Sequence, residues 1–139
     1  MIYGLSYVAA ALVFLAMDAI WLSTMSTRLY RPALGDLLLP NFNLPAAGAF
    51  YLIYIAGIVV FGISPAIKSG AWTTALVYGA LFGFFAYATY DLTNQATLRG
   101  WSFKVTIYDM CWGAFVSGVS AAAGFWIASA VMRAIGARS

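Results

Sequence analysis

Apolar positions along this chain gather into four long blocks, separated by short stretches of turn-forming and charged residues. The blocks cover residues 3–25, 44–63, 71–90 and 105–132. A helix needs about 20 apolar residues to cross a hydrocarbon core roughly 30 Å thick, and each block meets that length. In lipid a spanning segment must satisfy its own backbone groups, so continuous helices are the expected form. Pro40 and Pro45 bracket the entry to the second block and Ser64-Pro65 closes it. Lys68-Ser69-Gly70 separates it from the third, and Arg99-Gly100-Trp101 with Lys104 marks the turn into the fourth. No block is cut by an interior proline. The pattern predicts an all-α, four-helix integral membrane bundle formed by a single domain, residues 1–139, with both termini on one side. The first block carries no leading Lys or Arg and no obvious cleavage site follows it, so it reads as a retained helix rather than a secretion signal. Residues 26–43 are expected to be a loop, with a short amphipathic piece around Arg28, Tyr30, Arg31 and Leu37-Leu38-Leu39 lying in the interface.

Composition agrees with the pattern. Of 139 residues, 64% are hydrophobic and only 8% charged, against about a quarter charged in soluble domains. The net charge of +3 comes from seven Lys and Arg. They are scattered between apolar blocks, so no basic stripe for nucleic acid exists. One cysteine and no histidine argue against haem and against cysteine- or histidine-bound metals, and no other cofactor fingerprint appears. Cys111 reads as apolar filler. Lys68, Arg133 and Arg138 fall on the side of the termini (the terminal side), and Arg28, Arg31, Arg99 and Lys104 on the other (the loop side). The two arginines directly after the first helix lean towards a cytoplasmic loop side.

The four acids carry the most information. Asp18, Asp36, Asp91 and Asp109 all fall on the loop side once the helices alternate in direction. Three of them lie within apolar sequence. At a rise of 1.5 Å per residue, Asp109 lies roughly 7 Å inside Lys104, Asp91 roughly 12 Å inside Arg99 and Asp18 roughly 15 Å inside Arg28. An Asp at a helix centre costs about 2.5–3.5 kcal/mol to insert, so the three are expected to face the bundle interior. Asp36 reads as an ordinary loop residue. Asp18 with Trp21, and Asp109 with Trp112, repeat one spacing on one helix face. Tyr87, Asp91 and Asn94 share a face of the third helix, with Tyr90, Thr93 and Thr97 close by, and the second helix supplies Tyr51 and Tyr54. These twelve residues form the predicted pocket. Arg99 and Lys104 are candidate charge partners, and Asp18, Asp91 and Asp109 are the metal ligands if any metal binds. Trp72, Trp101 and Tyr30 read as interfacial belt residues. Gly79 with Gly83, and Ser117, Ala121, Gly124 and Ala128, form small-residue faces that allow close helix approach, within the bundle or in a homo-oligomer.

The stretch Tyr90-Asp91-Leu92-Thr93-Asn94-Gln95-Ala96-Thr97-Leu98 with Trp101, then Asp109-x-x-Trp112-Gly113, resembles the small bacterial membrane proteins catalogued as domain of unknown function 2177. Asp18-x-x-Trp21-Leu22 and Phe50-Tyr51-x-x-Tyr54 extend the resemblance over essentially the whole chain. It implies a four-helix, multi-pass protein of the bacterial inner membrane and brings no activity with it. From the residues themselves three functions stay open. One is a pocket that binds or translocates a proton, a small cation or a cationic or polar headgroup, since carboxylates and phenols are hard ligands and indole faces attract cations. Another is a lipid-modifying enzyme using carboxylate acid–base or metal chemistry. The third is a non-catalytic assembly subunit. Membrane lipids are the expected neighbours in every case.

Overall fold

The computed structural model describes residues 1–38 and 43–136. Pro40, Leu39 and Arg138 lie outside the described residues. Four helical rods are long and apolar enough to cross a membrane, as the apolar blocks predicted: Ile2–Leu37, Leu44–Ser69, Trp72–Thr97 and Phe103–Ala134. The first comprises α1 (Ile2–Met25), a π-helical turn over Ser26–Tyr30, α2 (Arg31–Leu34) and a 3₁₀ turn over Gly35–Leu37. The second comprises α3 (Leu44–Ile58), a π-helical turn over Val59–Ile63 and α4 (Ser64–Ser69). The third and fourth are α5 (Trp72–Thr97) and α6 (Phe103–Ala134).

Two expectations are corrected here. Residues 26–37 are helical rather than a loop, and the second rod continues past Ser64-Pro65 to Ser69. The same device accounts for both. Each π turn is followed by one residue and then a proline, Arg31-Pro32 and Ser64-Pro65. Proline lacks an N–H, and its ring collides with the carbonyl four residues back, which is Arg28 in one rod and Phe61 in the other. Both carbonyls lie inside the π turns, whose wider i→i+5 bonding moves them away from the ring. The helix therefore passes its proline with a local change of phase instead of ending.

Polar caps and glycines set the true ends. The Asn43 side chain accepts from the Ala46 N–H at 3.1 Å to start α3, and Ser102 Oγ accepts from the Val105 N–H at 3.3 Å to start α6. Gly70 at φ +76° and Gly100 at φ +80° take the left-handed turns that a side chain would strain.

The longest helix, α6, lies at the centre with α5 along one side and α1 along the other. Its contacts are close because both partners present small residues. A Cβ on Gly79 would lie 2.7 Å from Ala121 Cβ, and one on Gly124 would lie 2.9 Å from Ala10 Cβ. Within the bundle Ser117, Ala121 and Ala128 are fully buried. The second rod joins the others chiefly through its π turn and α4, where Val59, Gly62, Ile63 and Ala66 are buried. Its loop-side half, with Phe50, Leu52 and Ile53 exposed, stands away from α5. That divergence opens the site.

Candidate functional site

Two acid centres occupy the loop-side half of the bundle. In the first, Asp18 on α1 is buried and accepts from Tyr51 Oη of α3 at 2.5 Å and from Trp112 Nε1 of α6 at 3.2 Å. One carboxylate thereby ties three helices together. An intramolecular hydrogen bond contributes about 0.5–1.5 kcal/mol net, so these two bonds help to hold the fold. Trp112 also stacks on Trp21, centroids 4.5 Å apart and planes 7° from parallel. The repeated Asp-x-x-Trp spacing on α1 and α6 thus produces one interlocked pair.

In the second centre, Asp91 of α5 and Asp109 of α6 lie against each other. Asp109 accepts from the Tyr30 hydroxyl, which in turn accepts from Trp21 Nε1 at 2.9 Å. Asp91 is fully buried, and apart from the neighbouring Asp109 carboxyl no group among the described residues hydrogen-bonds to either of its oxygens. Tyr30 reaches Asp109 because the first rod stays helical: Leu29 and Leu34 pack with Val105, Trp21 and Trp101 as a cap over the α5–α6 end. Tyr30, expected as an interfacial belt residue, is half-buried here and joins Trp21 to Asp109.

Between α3 and α5 a cleft of about 480 Å³ reaches Asp109, walled by Phe50, Tyr54, Ala86, Tyr87 and Tyr90. Tyr54 Oη is 2.6 Å from Ser117 Oγ, and its ring meets Tyr87 edge-on with centroids 6.0 Å apart. Tyr87 lies over Gly113, where a Cβ would come within 2.3 Å of the ring. Tyr90 packs edge-on against Trp101 at 5.8 Å and interacts with half-buried Asn94. Below this end, Thr106 Oγ1 donates to Gln95 Oε1 and accepts from Trp101 Nε1, each at 3.0 Å. That link fixes the α5–α6 turn.

Ten of the twelve predicted pocket residues therefore converge: Asp18, Trp21, Tyr51, Tyr54, Tyr87, Tyr90, Asp91, Asn94, Asp109 and Trp112. Thr93 and Thr97 do not. Both are exposed, and the Thr97 hydroxyl donates to the Thr93 carbonyl at 2.7 Å, which satisfies it within its own helix. Arg99 and Lys104 do not reach the acids either. Arg99 is exposed in the turn beyond α5, and Lys104 is exposed with its Nζ 5.9 Å from the Tyr108 ring centre. At the interface a long cation gains more from water than from a buried partner. The three acids do not assemble into one metal-binding cluster among the described residues, because Asp18 is engaged by Tyr51 and Trp112. Tyr30, Ser117, Gln95 and Thr106 are the polar participants that sequence reasoning missed. Of these Tyr30 alone carried a signal, its place seven residues before Leu37 in a stretch with helical spacing.

A family model described as "predicted membrane protein" matches residues 3–126. No curated protein and no solved structure matches the chain. The matched span takes in all three buried acids, both stacked tryptophans and every residue of the cleft wall. The chain therefore belongs to the membrane-protein family catalogued as domain of unknown function 2177.

Proposed function

We propose that this protein is a binding protein of the bacterial cytoplasmic membrane that holds a small cation, or the cationic head of a larger molecule, at the Asp91–Asp109 pair. One observation carries the reading: Asp91 is fully buried against a second acid, Asp109, and no donor other than that acid reaches either of its oxygens among the described residues. An ionisable group in a membrane span is expensive and commonly marks a functional site. A fold needing only rigidity would place an apolar residue at that position. The cleft supplies what a cation needs besides charge, since Tyr54, Tyr87 and Tyr90 present ring faces and edges next to Asp109. Binding is favoured over translocation because the terminal-side half offers no acid or base inside the bundle among the described residues. The paired arginines after α1 favour a cytoplasmic loop side, so the cleft would lie in the inner leaflet.

Ethylammonium titrated into the detergent-solubilised protein tests this by calorimetry. Asp109→Asn, which keeps the shape and removes the charge, should weaken binding by about tenfold or more, equivalent to at least about 1.4 kcal/mol. Asp36→Asn, at an exposed position away from the cleft, should bind as the unaltered chain does. Equal affinities for the unaltered chain and Asp109→Asn would overturn the proposal.

A further inference from the structure

The cleft at Asp109 does not end at its aromatic wall. It shares Phe50 and Tyr54 with a second cavity of about 420 Å³ that continues down the seam between α3 and α5, along Ile53 and Gly57, to Phe61 and Phe82. There the two phenyl rings stack across the seam, centroids 5.6 Å apart and 19° from parallel, and form a floor. From Phe50 to Phe61 the trough spans eleven residues of helical rod, roughly 16 Å at 1.5 Å per residue. One end is polar, at Asp109 beneath the loop-side boundary. The rest is apolar and leads towards the bilayer centre, and it is open sideways, where Phe50, Ile53 and Phe61 are exposed.

A free inorganic cation would use only the acid end of this shape. A long apolar trough, open to lipid and closed by rings at its foot, matches a chain lying along the membrane normal. We infer that the occupant is a single-chain amphiphile with an ammonium head, which enters laterally between α3 and α5 and seats its head at Asp109. The inference rests on the cation-binding reading above and adds to it the chemical class and the route. Lateral entry is consistent with the packing of the second rod, which is held to α5 through its π turn and α4 and diverges above them. Gly57 bounds the trough and seats the Phe82 ring of its floor: a Cβ there would come within 2.5 Å of that ring.

Dodecylammonium carrying a diazirine at its chain end, reconstituted with the full chain in phosphatidylethanolamine–phosphatidylglycerol vesicles, reads the position directly. Illumination should label Ile53, Phe61 or Phe82, excess unmodified dodecylammonium should compete the label away, and Asp109→Asn should abolish it. In parallel, Ile53→Trp, at an exposed position that lines only the apolar cavity, should weaken dodecylammonium by about tenfold while changing ethylammonium by no more than about twofold. Labelling spread evenly over lipid-facing residues such as Leu12, Val77 and Phe115 would overturn the amphiphile assignment. So would ethylammonium binding as tightly as dodecylammonium. In both cases the cation site at Asp109 would stand, whereas failure of both ammonium probes to bind would remove that site as well.

Discussion

Gly83→Ala is expected to lower the melting temperature in detergent by roughly 10 °C, the largest loss of stability for any single added methyl in this chain. A Cβ at Gly83 would lie 2.1 Å from the Gly113 carbonyl oxygen and 2.5–2.6 Å from the Ser117 side chain. The first contact is with backbone, so no rotamer change relieves it, and α5 and α6 must move apart. Separating them would undo the Gly79–Ala121 contact on one side and the seat of Tyr87 over Gly113 on the other. Overpacking of a tight interior costs about 1–3 kcal/mol, and backbone collisions fall at or above the top of that range. Gly48→Ala is the control: it lies in α3 with nothing within 4 Å of the added atom. A helical Gly→Ala change in open space should be neutral or stabilising by about 0.5–1 kcal/mol. Thermal unfolding of the two variants followed by circular dichroism checks both.

Asp91→Asn should move stability and binding in opposite directions. The amide keeps the volume of the carboxyl and removes a buried acid that faces another acid, and its nitrogen can donate to Asp109. Relief of an unsatisfied buried polar group is worth about 1–3 kcal/mol, so the variant should melt several degrees above the unaltered chain. Ethylammonium binding should at the same time fall by about tenfold or more. A group kept at the expense of stability is the signature of a functional position. Were Asp91 there only for the fold, the variant would melt lower and bind normally.

Much of this arrangement was legible in the residues. Block lengths identified the four rods, since lipid permits few alternatives for an apolar stretch of that size. The cost of an acid in hydrocarbon placed Asp18, Asp91 and Asp109 inside, and Gly79 and Gly83 marked where two helices touch. The division of labour among the acids was not legible. Asp18, the deepest, reads from the sequence as the acid that matters most; the structure gives it donors from Tyr51 and Trp112, whereas Asp91 faces only another acid. Which acid finds a donor depends on side chains arriving from other helices, and no spacing along one helix encodes that. Tyr30 was lost for a related reason. A proline after a polar stretch suggests an end, yet the π turns before Pro32 and Pro65 let both rods continue. Thr93 and Thr97 have the composition of a site, but hydroxyls on a helix can be satisfied by their own backbone.

The claim that an ammonium head sits at the acid pair is tested most directly by a distance. Rotational-echo solid-state NMR would be run on the chain with ¹³Cγ-labelled aspartate in lipid vesicles, with ¹⁵N-dodecylammonium added. The predicted result is strong dephasing of an aspartate carboxyl signal by the ammonium nitrogen, at about 3–4 Å as in a charge-assisted hydrogen bond, lost in Asp109→Asn. Dephasing of the nitrogen by lipid phosphorus alone, with every aspartate carboxyl unaffected, would contradict it.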